Sequence, residues 1–154
     1  MTTFAFASRP KLSAALWLAV VATTATAQPH EATRGKLTLR SSTVASVTID
    51  KATARRHGID QAPDVGVLNV LLARTDEGLL HPIPARVEAQ AWSLSGVRQQ
   101  IEMREVREGG RVSYVGSYNF LPREVIDFRI TAKPTDSRAA PALSLAYRDR
   151  MWSP

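Results

Sequence analysis

The chain has 154 residues, a formal net charge of +6 and no cysteine. The lack of cysteine excludes disulfides, zinc-thiolate sites and a cysteine nucleophile. Its arginines are scattered among acids, so opposite charges cancel at a distance, and the sequence predicts no stripe of phosphate-binding side chains. Nucleic acid is therefore not an expected partner.

Residues 1–27 are typical of a secretory signal peptide. Arg9 and Lys11 precede an apolar run over residues 12–27 that ends in an Ala-x-Ala exit. A membrane-spanning helix needs about 20 mostly apolar residues, and this run is shorter. We therefore expect cleavage after Ala27, export to the periplasm and no stable membrane insertion of the mature chain.

The remaining chain divides into a short leading segment and one domain. Residues 28–36 are polar and show no periodicity, which predicts a flexible segment. Residues 37–152 suffice for a single domain with one core. Its first apolar alternation starts at Leu37 and Leu39, and the β-branched residues of TVASVTI favour a strand.

The segment DKATARRHG predicts one short helix. Asp50 stands where an N-cap is favoured, two arginines occupy the last turn, and Gly58 follows. We interpret His57 as a residue compatible with the helix dipole rather than as a ligand.

Two apolar patterns predict strands on either side of a turn at TDEG. Residues 65–73, VGVLNVLLA, are apolar at both parities except for Asn69, which indicates a strand covered on both faces near the middle of a sheet. We interpret Asn69 as a buried amide that bonds to neighbouring backbone rather than as a ligand residue. Residues 85–92 alternate strictly, which indicates a half-buried antiparallel strand with Trp92 on its polar face. Trp92 can stack on a sugar or a peptide, but packing over arginine stems or at one end of the sandwich is the preferred interpretation.

The stretch REVREGGRVSYVGSY predicts a β-hairpin whose two-residue turn is the Gly-Gly pair at 109–110. The resulting register places Glu105 opposite Tyr114, whose hydroxyl is its expected partner. Continued inward, the register places Ile101 opposite Tyr118 on the core face. The charged hairpin residues and one tryptophan form the candidate binding surface: Arg104, Arg107, Glu108, Arg111 and Trp92.

Further alternations predict the remaining strands, over residues 112–120, 126–130 and 143–147, with KPTDSRAAP as a loop. Together the patterns predict about seven strands and one short helix, separated by turn signals. The expected fold is an all-β antiparallel β-sandwich.

Four motifs taken together resemble a family of short exported proteobacterial proteins, the domain-of-unknown-function family 4426. They are GVLNVLL, PIPARVEAQAWSLSG, MREVREGGRVSYVGSYNF and EVIDFRI. The resemblance covers most of residues 37–147 and implies an exported, immunoglobulin-like β protein, but it carries no catalytic residue, cofactor or ligand. The chain departs from the family near Arg40, where members tend to have an aromatic residue next to a histidine, and in its tail, YRDRMW.

The sequence contains no constellation typical of an enzyme. Its three histidines lack metal-ligand spacing, and neither a G-x-S-x-G nor an H-E-x-x-H string is present. We therefore expect no catalysis, no metal and no cofactor.

Two functions stay open. A periplasmic binding or accessory module would hold an envelope protein through a sheet edge or the charged hairpin. A small hydrolase would act on an envelope polymer through Glu102, Glu105 or Glu108 gathered in a concave pocket. Because Glu102 and Glu105 point to opposite faces of a strand, the module is the preferred hypothesis.

Overall fold

The computed structural model describes residues 29–136 and 139–152, so the predicted signal peptide lies outside the described residues. One α-helix, α1 (Lys51–Arg56), and one 3₁₀ turn over Ser46–Thr48 accompany the strands, so the strand predicted over TVASVTI ends at Ala45. The ten strands are, in chain order, β1 (His30–Arg34), β2 (Leu37–Ala45), β3 (Val65–Asp76), β4 (Leu79–Pro82), β5 (Ala85–Ser93), β6 (Arg98–Ile101), β7 (Arg104–Glu108), β8 (Arg111–Asn119), β9 (Val125–Pro134) and β10 (Leu143–Arg150).

The strands form two antiparallel sheets. The first has the order β1-β2-β3-β8-β7, with β4 also paired to β3, and the second has the order β10-β9-β5-β6. One hydrophobic cluster draws buried side chains from both sheets, among them Leu39, Leu68, Phe128 and Ile130. The predicted all-β sandwich is therefore confirmed, although the described residues contain more strands than the seven expected.

One of the additional strands lies in the segment predicted to be flexible. Residues 30–34 instead form β1, which pairs antiparallel with β2. Glu31 bonds to Arg40 across the pair at 2.6 Å, and the His30 ring stacks on Tyr147 with centroids 3.8 Å apart. Strand β1 is held by backbone pairing and by contacts with residues outside it, so its own sequence shows no apolar alternation.

The chain changes sheets between β6 and β7. The predicted hairpin register is confirmed for Glu105 opposite Tyr114, but Ile101 pairs with Ala89 in the second sheet and not with Tyr118. At the crossing, a Cβ on Gly116 would lie 2.5 Å from Ile101 Cγ2 and 2.7 Å from the Glu102 carbonyl oxygen. A glycine is required there because two segments of backbone approach closely.

Helix α1 begins and ends as the sequence predicts. The Asp50 side chain accepts a hydrogen bond from the Thr53 amide at 2.9 Å, which lowers the pKa of that carboxyl group. His57 is the C-cap, and Gly58 follows with φ of 59°. Among the described residues, no helix has the length and apolar character that crossing a bilayer requires.

The helix covers only part of the outer face of β3. Val67 packs beneath it with Ala54 and Ile59, so this stretch of β3 is covered on both faces, as predicted. Asn69 lies two residues further along the same face and is exposed. The interpretation of Asn69 as a buried amide is therefore wrong, because the short helix ends before it reaches that position.

Candidate binding surfaces

The predicted hairpin forms, and its outer face is tied to helix α1. Gly109 and Gly110 have φ of 55° and 75°, as a two-residue hairpin turn requires. The Arg104 guanidinium donates to the His57 carbonyl at 2.7 Å, where helix carbonyls lack intrahelical partners. Glu108 Oε1 lies 3.1 Å from His57 Nε2. These contacts join the hairpin to a helix about 50 residues away in the chain. No local sequence pattern reveals contacts between residues so far apart.

The inner face of the hairpin centres on Glu105. Its carboxylate accepts hydrogen bonds from Arg107 Nε at 2.6 Å and from the Tyr114 hydroxyl at 3.0 Å, which lower the pKa of Glu105. The Tyr114 hydroxyl in turn accepts from the buried Ala85 amide at 2.7 Å. The expected Glu105–Tyr114 contact is confirmed, and it links β7 and β8 to the first residue of β5 in the opposite sheet.

The charges of the hairpin divide between these two faces. Arg104 and Glu108 point toward α1, whereas Glu105 and Arg107 lie on the other side of β7. A hollow of about 410 Å³ lies between α1 and residues 104–106 of β7, and its lining, among the described residues, includes neither Glu102 nor Glu108. The three glutamates considered for hydrolysis are therefore not gathered in this hollow.

Trp92 lies on the outer face of the second sheet, away from the hairpin. The strand registers place Arg98, Trp92, Asp127 and Arg148 directly beside one another across β6, β5, β9 and β10. The guanidinium carbons of Arg98 and Arg129 lie 5.6 and 5.1 Å from the indole centroid. The prediction that Trp92 packs against arginines is confirmed. The five predicted binding residues, however, do not form one surface.

A shallow hollow of about 680 Å³ adjoins the indole. Ala146 is opposite Arg129 in the register, and its small side chain leaves the space open. At the hollow's margin Arg148 donates to both Asp127 carboxylate oxygens, at 2.7 and 2.9 Å, which lowers the pKa of Asp127. We refer to this surface as the Trp92 face; its residues are Trp92, Arg98, Asp127, Arg129, Ala146 and Arg148.

The charges on this side of the sandwich do not cancel. Strand parity places six basic side chains on the outer face of the second sheet: Arg86, Arg98, Arg129, Lys133, Arg148 and Arg150. The same face carries the acids Glu88 and Asp127, each paired with an arginine. Charges that alternate in sign along the sequence are thus separated, because neighbouring residues of a strand point to opposite faces.

The comparisons with known proteins bear on the family and the fold. The profile of the family described as "Domain of unknown function (DUF4426)" matches residues 31–152, which confirms the resemblance inferred from the motifs. No curated protein matches the chain. A crystal structure of a DUF4426 family protein from Pseudomonas aeruginosa PAO1 is similar with a TM-score of 0.69 and 21% identity, over 82% of this chain and 96% of that one.

A second similar structure is FetP of uropathogenic Escherichia coli strain F11, expressed recombinantly in the periplasm. Its TM-score is 0.60 at 11% identity, over 83% of this chain and 97% of that one. A copper-bound variant of FetP is similar at a TM-score of 0.58 and 9% identity, over 83% of this chain and 99% of that one. In the part of this chain that the structure describes, no three His, Asp or Glu side chains are grouped as a metal site would require.

Proposed function

We propose that the chain, which belongs to the DUF4426 family, is a non-catalytic binding or accessory module of the bacterial periplasm that holds an envelope protein at its Trp92 face. The predicted signal peptide supports this location. The periplasmic expression of FetP, a protein of similar fold, is consistent with it.

The arrangement around Trp92 is the observation that carries the proposal. Arg148 forms a salt bridge with Asp127, but among the described residues Arg98 and Arg129 have no salt-bridge partner. An acidic segment of a partner can pair with these two guanidinium groups while an apolar side chain fills the hollow beside the indole. Tryptophan and arginine contribute most strongly to protein interfaces when they are close together and shielded from water.

A carboxylate-dependent hydrolase is the weaker proposal. Glu105 is already bonded to Arg107 and Tyr114, and Glu108 points to the opposite side of β7. Neither carboxylate faces the other across a cleft, as the acid and base of a glycosidase do.

Capture from an envelope extract with tagged, exported protein tests the proposal. Arg129→Glu reverses a charge beside the indole and is expected to abolish capture of any protein held at this face. Arg111→Glu is the matched control, since it reverses another exposed arginine, which lies on the hairpin. Urea melts of both variants establish that each is folded. Loss of capture with Arg111→Glu and retention with Arg129→Glu would instead assign binding to the hairpin.

A further inference from the structure

Four large apolar side chains are exposed at one end of the sandwich, and we call them the apolar tip. They are Leu94, Val97, Leu121 and Trp152, which are 66%, 57%, 68% and 61% exposed. Burying such side chains away from water is favourable. A cluster of them that stays exposed on a protein surface is therefore typical of an interaction site.

The strand pairing places these residues together. The turn that carries Leu94 and Val97 follows Ser93, which pairs with Ile126 at the start of β9. The loop with Leu121 leads into that same start of β9. The backbone of Met151, which precedes Trp152, bonds in both directions with that loop, through Glu124 and Arg123, at 2.9 and 3.1 Å.

Arginines surround the tip. Arg98 follows Val97, Arg150 ends the strand before Trp152, and Arg123 lies in the Leu121 loop; all three are exposed. Among the described residues none of the three forms a salt bridge. The tip therefore combines exposed apolar side chains with cations that, among the described residues, are paired with no carboxylate.

Arg123 occupies a position that favours glycine. Pro122 and Arg123 are the central residues of a turn closed by the Glu124 amide and the Leu121 carbonyl at 2.9 Å, and Arg123 has φ of 65°. This turn geometry prefers glycine in the third position. A side chain at this position strains the backbone. Because strained residues are concentrated at functional sites, the strain indicates a function for the Arg123 guanidinium group.

We propose that the apolar tip docks the protein on the surface of an anionic lipid bilayer. The four apolar side chains would enter the boundary between headgroups and acyl chains, and Arg98, Arg123 and Arg150 would contact lipid phosphates. The apolar residues project from separate loops, and the charge of the three arginines is complementary to anionic headgroups. A bilayer fits both features. This docking is peripheral and is additional to the protein partner proposed for the Trp92 face.

Binding to vesicles tests the proposal, with exported protein whose mass shows the loss of residues 1–27. We expect co-sedimentation with phosphatidylglycerol vesicles but not with phosphatidylcholine vesicles. In a Trp92→Phe background, Trp152 reports insertion by a shift of its emission to shorter wavelength. Leu94→Ser and Leu121→Ser are each expected to weaken binding by about tenfold.

Leu79→Ser is the matched control, because Leu79 is 64% exposed at the opposite end of the sandwich. It should leave vesicle binding unchanged. Arg123→Gly should weaken binding to anionic vesicles by about fivefold and yet raise the urea midpoint, since it relieves the turn. Arg123→Lys should retain binding. A purely structural role for Arg123 predicts no such opposition between stability and binding.

Several results would overturn the proposal. Failure to bind phosphatidylglycerol vesicles would do so, as would equal binding to phosphatidylcholine or equal loss with Leu79→Ser. A lipid-free dimer that Leu94→Ser dissociates would show that a second copy covers the tip instead. Arg98 belongs to both surfaces, but Arg129 belongs only to the Trp92 face and Leu121 only to the apolar tip. The two proposals can therefore fail separately.

Discussion

Replacing Tyr118 with aspartate tests the assignment of the core face of β8. Tyr118 is 3% exposed, and its ring covers Gly66, the residue opposite it on β3. A Cβ at Gly66 would lie only 2.4 Å from Tyr118 Cζ, so the ring fills the space that the glycine leaves. The Phe128 ring meets it edge-on, with centroids 5.1 Å apart.

The cost of Tyr118→Asp follows from these contacts. Removing a buried aromatic side chain costs about 3–5 kcal/mol. A carboxylate left in its place without a partner adds several kcal/mol, even after it takes up a proton. The Tyr118 hydroxyl lies 3.1 Å from Met151 Sδ, which cannot stabilise an anion. The sum is comparable with the roughly 5–15 kcal/mol that stabilise a whole domain, so we expect an unfolded protein.

Urea melts followed by circular dichroism measure the effect. Tyr118→Phe keeps the ring and should lose only about 1 kcal/mol, the net worth of one hydrogen bond. Arg111→Ala, on the exposed end of the same strand, should leave the midpoint unchanged. A Tyr118→Asp protein with the midpoint of the parent would show that the opposite face of β8 is buried and that this reasoning is wrong.

Three further predictions concern the crossing between sheets, alkaline pH and export. Gly116→Ala should lower the free energy of unfolding by about 3 kcal/mol, because the added carbon meets backbone. The control is Gly78→Ala, whose added carbon meets open space and which should cost about 1 kcal/mol from its positive φ alone. Urea melts compare the two variants. Burial raises the pKa of Tyr118 and of Tyr147 above the ordinary 10.0. Above about pH 10 the folded state therefore keeps protons that the unfolded state releases. In that range the free energy of unfolding should fall by about 1.4 kcal/mol per pH unit for each tyrosine. Urea midpoints at about pH 9 and about pH 11 check this, and Tyr147→Phe should reduce the slope. Intact-mass measurement of periplasmic protein should show cleavage after Ala27; a mass that retains residues 1–27 would contradict the signal-peptide prediction.

Some of the fold could be predicted from the sequence because its cause is local. The alternation over residues 112–120 reveals which face of β8 is buried, since side chains of a strand alternate between faces. The glycine pair at 109–110 sets the register of the hairpin through its positive φ values. Asp50 and Gly58 mark the ends of α1 because capping depends on residues within one turn.

Other features were decided only by tertiary structure. Strand β1 exists because β2 offers a free backbone edge, and backbone pairing requires no pattern of side chains. Asn69 is exposed because the helix that covers Val67 ends too soon, which the strand's own composition does not reveal. The contact between Glu108 and His57 joins residues far apart in the chain.

The candidate binding surfaces illustrate the same division. The sequence singled out Trp92 and the hairpin charges, but the residues beside Trp92 come from three other strands and become its neighbours only through pairing. Likewise the basic outer face of the second sheet arises because each strand sends alternate residues to opposite sides. Local periodicity therefore determined which side chains are buried on each strand, whereas the order and register of the strands decided which exposed side chains meet.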